Sequence, residues 1–320
     1  MSGYLASVLV SAGIMAILAL SLNLVVGYAG QVSLAQGALF GVGAYTAAIA
    51  STRYGVAFPF DVVPAVLVTA LVGTLIAVPA LRVRHDFLVL TTMGVNFVVV
   101  GLFQFVPYFG GSQGIVGIPL LPFSAVETMW LVLFCLVVTL ATQWLLLRTW
   151  FGLRLTAIRD DEGAAAATGV GVAATKIWAF TFSGAYAGLA GCLYAHYIGS
   201  IFPGGFGFVQ SVTILAMVIL GGEGTLAGPV LAAVLLTVLP EQLRFVEEWR
   251  LVLYGALIVV IIRFMPAGLL GHGSPLRRLY GVARGRGADQ EVRREPGAVG
   301  RLVHGRPSGD RGADRAERGG

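Results

Sequence analysis

Between residues 22 and 45 the sequence runs LNLVVGYAGQVSLAQGALFGVGAY, an apolar stretch that carries Asn23, Gln31, Ser33, Gln36 and Tyr45. These side chains offer amides and hydroxyls, with no nucleophile beside a base. Their chemistry is hydrogen bonding, to a polar solute or to unwound backbone. Unwound backbone is tolerated at membrane depth where protein or a water-filled cavity covers it. In transporters such breaks often help form the substrate path, so these five residues are the candidate pathway. A second break, GGEGTLAGP, opens on Gly221 and Gly222 and carries the carboxylate of Glu223. An ionisable group at membrane depth defaults to a functional role. At the cytoplasmic surface Glu223 would instead cap the next helix, and the charge pattern of the loops favours the surface. A third set, Arg154, Arg159, Asp160, Asp161 and Glu162, gathers charge in a loop between two apolar segments, which suits docking to a soluble partner.

Other reactive residue types are dispersed. Cys135 and Cys192 lie inside apolar segments, which points to packing and not to disulfides or metal ligation. His85, His196, His272 and His304 are scattered along the chain. Asp61 and Arg263 sit near the ends of apolar segments and read as interfacial or snorkelling. The sequence has no GxxxxGK[ST], HExxH or CxxC motif. It therefore offers no P-loop for ATP, no metal centre and no cluster of catalytic groups. A chain that binds and moves a solute fits these residues; an enzyme does not.

The elements that hold them are membrane helices. The chain of 320 residues is 57% hydrophobic and 12% charged, with a mean hydropathy of +0.85. Soluble domains carry about 25% charge. The pattern predicts an all-α, polytopic membrane bundle of about eight or nine helices, some short or broken. A span needs about 20 apolar residues. Spans are predicted near 5–27, 34–52, 61–81, 87–107, 128–147, 175–199, 209–222, 226–240 and 250–268. The seventh and eighth are short and could form one re-entrant hairpin. Small residues let helix backbones approach closely in a membrane. Gly37 and Gly41, and Gly184 and Gly188, form small-xxx-small pairs; with Gly30, Gly221 and Gly222 they are read as packing or break positions.

Lys and Arg in short loops set orientation. Arg82 and Arg84, then Arg148, Arg154, Arg159 and Lys176, then an Arg-rich tail, all fall on one side. That side is expected to be cytoplasmic, with the N-terminus outside. MSGYLASVLV lacks a basic leader, so the first span is expected to be retained. Residues 1–270 form the transmembrane domain in this reading, with an inner loop at about 148–176. Within that loop LRLTAIRDDEGAAAA is expected to form one short amphipathic helix, ended by Gly169 and Gly171. Residues 271–320 hold eleven Arg against six acidic residues, while the first 270 are balanced. The composition of that tail suits a disordered cytoplasmic segment better than a nucleic-acid-binding one.

Six stretches in order resemble one family. They are LNLVVGYAGQVSLAQGALFGVGAYTAA (22–48), LRVRHDFLVLTTMG (81–94), GGSQGIVGIP (110–119), FGLRLTAIRDDEGAAAATGVGV (151–172), FSGAYAGLAGCLYA (182–195) and ILGGEGTLAGPVLAA (219–233). Together they resemble the LivM-type permease subunits of ABC importers for branched-chain amino acids. The resemblance covers residues 15–270. It implies a bacterial inner-membrane protein that binds no cofactor itself, since ATP is bound by separate cytoplasmic subunits. It also implies an extracytoplasmic binding protein that delivers leucine, isoleucine or valine, and a second, LivH-type permease as a heterodimeric partner. It assigns residues 159–169 to a coupling helix that docks on the ATPase, with Glu162, Ala164, Ala165 and Gly169 matching its Glu-Ala-Ala…Gly pattern loosely. Gly163 interrupts that pattern, and TTMGVNF carries Asn96 and Phe97 where the family often has a Glu. Urea, short amides or other amino acids are the alternative substrates within the family. A proton- or ion-coupled transporter using Glu223 is the alternative from another class.

Overall fold

The computed structural model describes residues 3–82, 85–242 and 269, which all belong to one unit of the chain. The predicted span 250–268 and the tail 271–320 lie outside the described residues, as does Arg84. The other eight predicted spans coincide with helices to within about four residues at either end. These are α1 (Gly3–Asn23), α2 (Gln36–Tyr54), α3 (Val62–Arg82), α4 (His85–Phe105), α5 (Ala125–Arg148), α8 (Val172–Ile198), α9 (Phe208–Gly221) and α10 (Ala227–Gln242). Two short helices, α6 (Trp150–Asp160) and α7 (Glu162–Ala167), lie between α5 and α8.

By length and apolarity five segments can cross a membrane: Gly3–Tyr28, Val62–Leu81, Phe87–Phe105, Ala125–Arg148 and Pro203–Gly221. The first is 72% buried in its most apolar window, against 22% for those of α4 and α5. Helix α1 is therefore the axis of the bundle, packed by α5, α8, α9 and α10. Helices α3, α4 and α5 turn Leu67, Leu71, Leu75, Val98, Leu102 and Phe134 outward. An exposed apolar surface of that extent suits lipid or a membrane partner, not water. Helix α2 is buried along most of its length, so protein surrounds it and it can carry more glycine and polar residues than a lipid-facing span.

Helix α8 runs between α2 and α3 on a seam of glycines. A Cβ on Gly184 would lie 2.5 Å from Thr69 O of α3, and one on Gly43 of α2 would lie 2.6 Å from Gly188 Cα. Backbone meets backbone there, which only glycine permits. Local chemistry sets the ends. Ser124 and Glu127 form a capping box at the start of α5, the Ser124 N–H donating to Glu127 Oε2 at 2.7 Å. Gly199 closes α8 in the left-handed region at φ +75°.

The inner loop departs from expectation. It is two helices, because Asp161 leaves the helix at φ −157° and accepts a hydrogen bond from the Ala164 N–H at 2.9 Å. Aspartate favours capping over a helix interior. Gly169 takes a positive φ of +85° after α7, but Gly171 does not end a helix; it precedes α8 at φ −70°. A two-residue antiparallel pairing, β1 (Ile115–Val116) with β2 (Ser200–Ile201), ties the loop after α4 to the end of α8.

Candidate functional site

Helix α1 breaks where its regular hydrogen bonding loosens. Leu24–Tyr28 form a π-helical turn, Ala29 to Ala35 lie outside any helix, and α2 starts at Gln36. Gly30 takes φ +66°, and a Cβ there would stand 3.1 Å from Arg159 Cγ. Positive φ and close approach both require glycine at this point. The Gly27 carbonyl accepts a hydrogen bond from Arg159 Nη1, which reaches in from the end of α6. Arg159 Nη2 lies 3.7 Å from Glu223 Oε2 in the α9–α10 turn, both side chains being more than a third exposed. Asn23 closes the same junction. Its Nδ2 donates to Thr225 O at 2.8 Å and its Oδ1 accepts from the Gly224 N–H at 3.1 Å. Three segments far apart in sequence thus meet on Arg159 and Asn23: the broken end of α1, the end of α6, and the α9–α10 turn.

A second tie holds the inner loop. Lys176 Nζ at the start of α8 donates to Glu162 Oε2 of α7 at 2.7 Å, and the lysine side chain is only 7% exposed. Arg154, Asp160, Asp161 and Ala164 stay exposed on this loop, whereas Ala165 is buried.

The pathway candidates are packed inside the described chain. Gln36 Nε2 donates to Ser21 Oγ at 2.5 Å, and Ser21 Oγ donates to Ser183 O at 2.6 Å, so α1, α2 and α8 share one polar node. The Gly37 N–H donates to Ser211 Oγ at 2.9 Å, and Asn96 Nδ2 donates to the same oxygen at 3.0 Å. Gln31, Ser33 and Tyr45 are buried as well, Tyr45 stacking on Phe103 at 4.1 Å. Asn23 is joined to the backbone of the α9–α10 turn. Glu223 pairs with Arg159, and the expected cap on the next helix is replaced by that ion pair. Sequence reasoning missed Ser21, Ser183 and Ser211, which lie in apolar helices and have no motif around them.

Asn23→Leu would leave the Thr225 carbonyl and the Gly224 N–H without their partner. Each such loss costs about 1–3 kcal/mol. The expected result is a fall in the midpoint of denaturant unfolding in detergent, and Asn23→Asp, which keeps only the acceptor, should fall between the two.

Comparison with known proteins places this arrangement. The family model described as branched-chain amino acid transport system / permease component matches residues 4–262, most of the chain. The chain belongs to this permease family. It is 36% identical to the high-affinity branched-chain amino acid transport system permease protein LivM of Salmonella typhimurium, over 84% of this chain and 71% of that one. LivM of Escherichia coli is 35% identical over the same shares. The autoinducer 2 import system permease protein LsrC of Klebsiella pneumoniae is 38% identical over 41% of each chain. No solved structure matches.

In this membrane permease one feature overturns the sequence reading outright. Asp61, expected at an interface, is fully buried at the start of α3. Its Oδ2 is hydrogen-bonded to Nε2 of His196 in the last turn of α8, and Cys192 lies beside both. Asp61 and His196 are 135 positions apart, so no local pattern could pair them.

Proposed function

We propose that this chain is the transmembrane permease subunit of an ATP-driven importer for leucine, isoleucine and valine. An extracytoplasmic binding protein delivers the substrate to outer surfaces that include the loop 108–124. The substrate passes between this chain and a second, LivH-type permease. ATP is bound and hydrolysed in separate cytoplasmic subunits, and this chain supplies path and lever without chemistry of its own. The bundle crosses the plasma membrane eight or nine times, with the N-terminus outside and the tail in the cytoplasm.

The observation that carries this reading is the Arg159 junction. Helices α6 and α7 form the element that would dock on the ATPase, and Arg159 joins α6 to Gly27 at the α1 break. A displacement of α6 and α7 therefore reaches α1, the bundle axis, and the α9–α10 turn through one side chain. Lys176–Glu162 carries the same displacement to α8. Buried nodes such as Ser21–Gln36–Ser183 keep α1, α2 and α8 in register while the two permeases rock between outward-open and inward-open states. The substrate class rests on the LivM relatives, which match over 84% of the chain, against 41% for the autoinducer 2 permease.

The test is uptake of labelled leucine by cells that express this chain with its partner subunits. One strain carries the intact ATPase and one has its P-loop Lys substituted. Uptake is expected to vanish with the dead ATPase and to be competed by isoleucine and valine. Uptake that survives the dead ATPase and collapses with the proton gradient would replace this mechanism by one coupled through Glu223. Competition by urea or other amino acids alone would keep the importer and change its substrate.

A further inference from the structure

Remote from the Arg159 junction, where α3 begins and α8 ends, Asp61, Cys192 and His196 converge, each at most 1% exposed. One donor atom from each lies within 4.8 Å of the other two. His196 Nδ1 sits 2.7 Å from the Pro119 carbonyl oxygen. That oxygen can only accept, so Nδ1 carries a hydrogen and donates it. Nε2 then faces Asp61 Oδ2 with a lone pair, and two acceptors in hydrogen-bond contact need a proton between them, a place that a metal ion can take only when the two atoms part. Asp61 Oδ1, also buried, has no hydrogen-bond partner among the described residues.

We propose that Asp61, Cys192 and His196 form a binding site for a zinc-like divalent metal ion. Imidazole nitrogen, thiolate and carboxylate are the ligand types of tetrahedral zinc sites. The Nδ1–H to carbonyl bond with Pro119 is the outer-shell contact that fixes a metal-binding histidine in the tautomer with Nε2 free. Charge balances too. Binding one dication releases the Cys192 thiol proton and the proton shared by Asp61 and His196, so the buried cluster keeps its net charge. A cavity of about 170 Å3, lined by Leu120, Phe123 and Thr128 among others, reaches His196 but neither Asp61 nor Cys192. Through Pro119 the site would pin the loop 107–123 to α3 and α8. Metal binding itself does not depend on the importer reading.

Cobalt(II) is the probe, titrated into the purified full chain in detergent after treatment with a chelator. The expected result is one cobalt per chain, with visible bands of a tetrahedral site and a near-ultraviolet thiolate-to-cobalt charge-transfer band, both displaced by zinc. Cys192 packs among Ala47 and Ala65, so Cys192→Ala is a conservative change for folding. It should lose the charge-transfer band and bind cobalt at least about tenfold more weakly, the loss that an outer-shell change alone can bring. Cys135→Ala should bind as the parent does, and His196→Gln should bind weakly while keeping the parent's elution volume. A parent chain that takes up no cobalt, or a band that survives Cys192→Ala, would overturn the site and leave Asp61–His196 a plain buried hydrogen-bonded pair.

Discussion

Arg159→Ala is expected to uncouple transport. In proteoliposomes holding the complete transporter, leucine moved per ATP hydrolysed should fall about tenfold or more, while basal ATP hydrolysis stays within about twofold. The lost contact is a hydrogen bond from a charged donor, worth about 1.5–3 kcal/mol, and each 1.4 kcal/mol is a factor of about ten in an equilibrium constant. Coupling free energies between sites are of the same size, about 1–3 kcal/mol. Removing a side chain that touches both Gly27 and Glu223 can therefore remove most of the coupling.

The companion variant separates the two bonds that Arg159 makes. Glu223 and Arg159 are 3.7 Å apart with both side chains more than a third exposed, and an exposed ion pair contributes about 0–1 kcal/mol. Glu223→Gln should thus leave uptake within about threefold of the parent. Equal damage from both variants would move the weight to the carboxylate and favour the proton-coupled alternative. Normal coupling in Arg159→Ala would remove the lever argument altogether.

The parts of this fold that were legible in the sequence are those fixed by local chemistry. Hydropathy located eight of the ten described α-helices because the bilayer length dictates a run of apolar residues. The break after α1 was marked by Gly27, Gly30 and the polar residues around them, and the positive φ at Gly30 accounts for one of those glycines. What stayed hidden lies between residues distant in sequence. Asn23 was legible as a polar residue that needs a partner, yet its partner Thr225 is 202 positions away. Ser21 and Ser183 are 162 positions apart, and each alone looks like an ordinary small residue in a membrane helix. The break at Asp161 was locally encoded and missed, because the helical composition of LRLTAIRDDEGAAAA outweighed the capping tendency of one aspartate. Asp61 was misread for a related reason: a charge near a helix end is usually solvated, and it is the pairing with His196 at the end of a distant helix that makes its burial tolerable.

Substitution at Gly191 is expected to damage the bundle itself. A Cβ there would lie 2.5 Å from Phe40 O and 2.6 Å from Ala44 N, both backbone atoms of α2 that cannot swing aside as a side chain can. Gly191→Ala must push α8 off α2, and overpacking of this kind costs about 1–3 kcal/mol. Gly191→Leu exceeds what the seam can absorb, so the chain should insert but fail to yield assembled transporter on size-exclusion chromatography. Helix α4 supplies the control. Gly94 and Gly101 have nothing within 4 Å of an added Cβ, so Gly94→Ala and Gly101→Ala should be neutral or stabilising by about 0.5–1 kcal/mol, the intrinsic advantage of alanine in a helix. The comparison isolates close approach from helix propensity, since all three changes add the same methyl group to a helix interior. Gly191→Ala as stable as Gly94→Ala would mean that α2 and α8 do not meet backbone to backbone. A selective loss at Gly191 would explain why the chain places glycine in α2 and α8, where larger residues would bury more apolar surface: the seam keeps Gln36 of α2 within reach of Ser183 of α8.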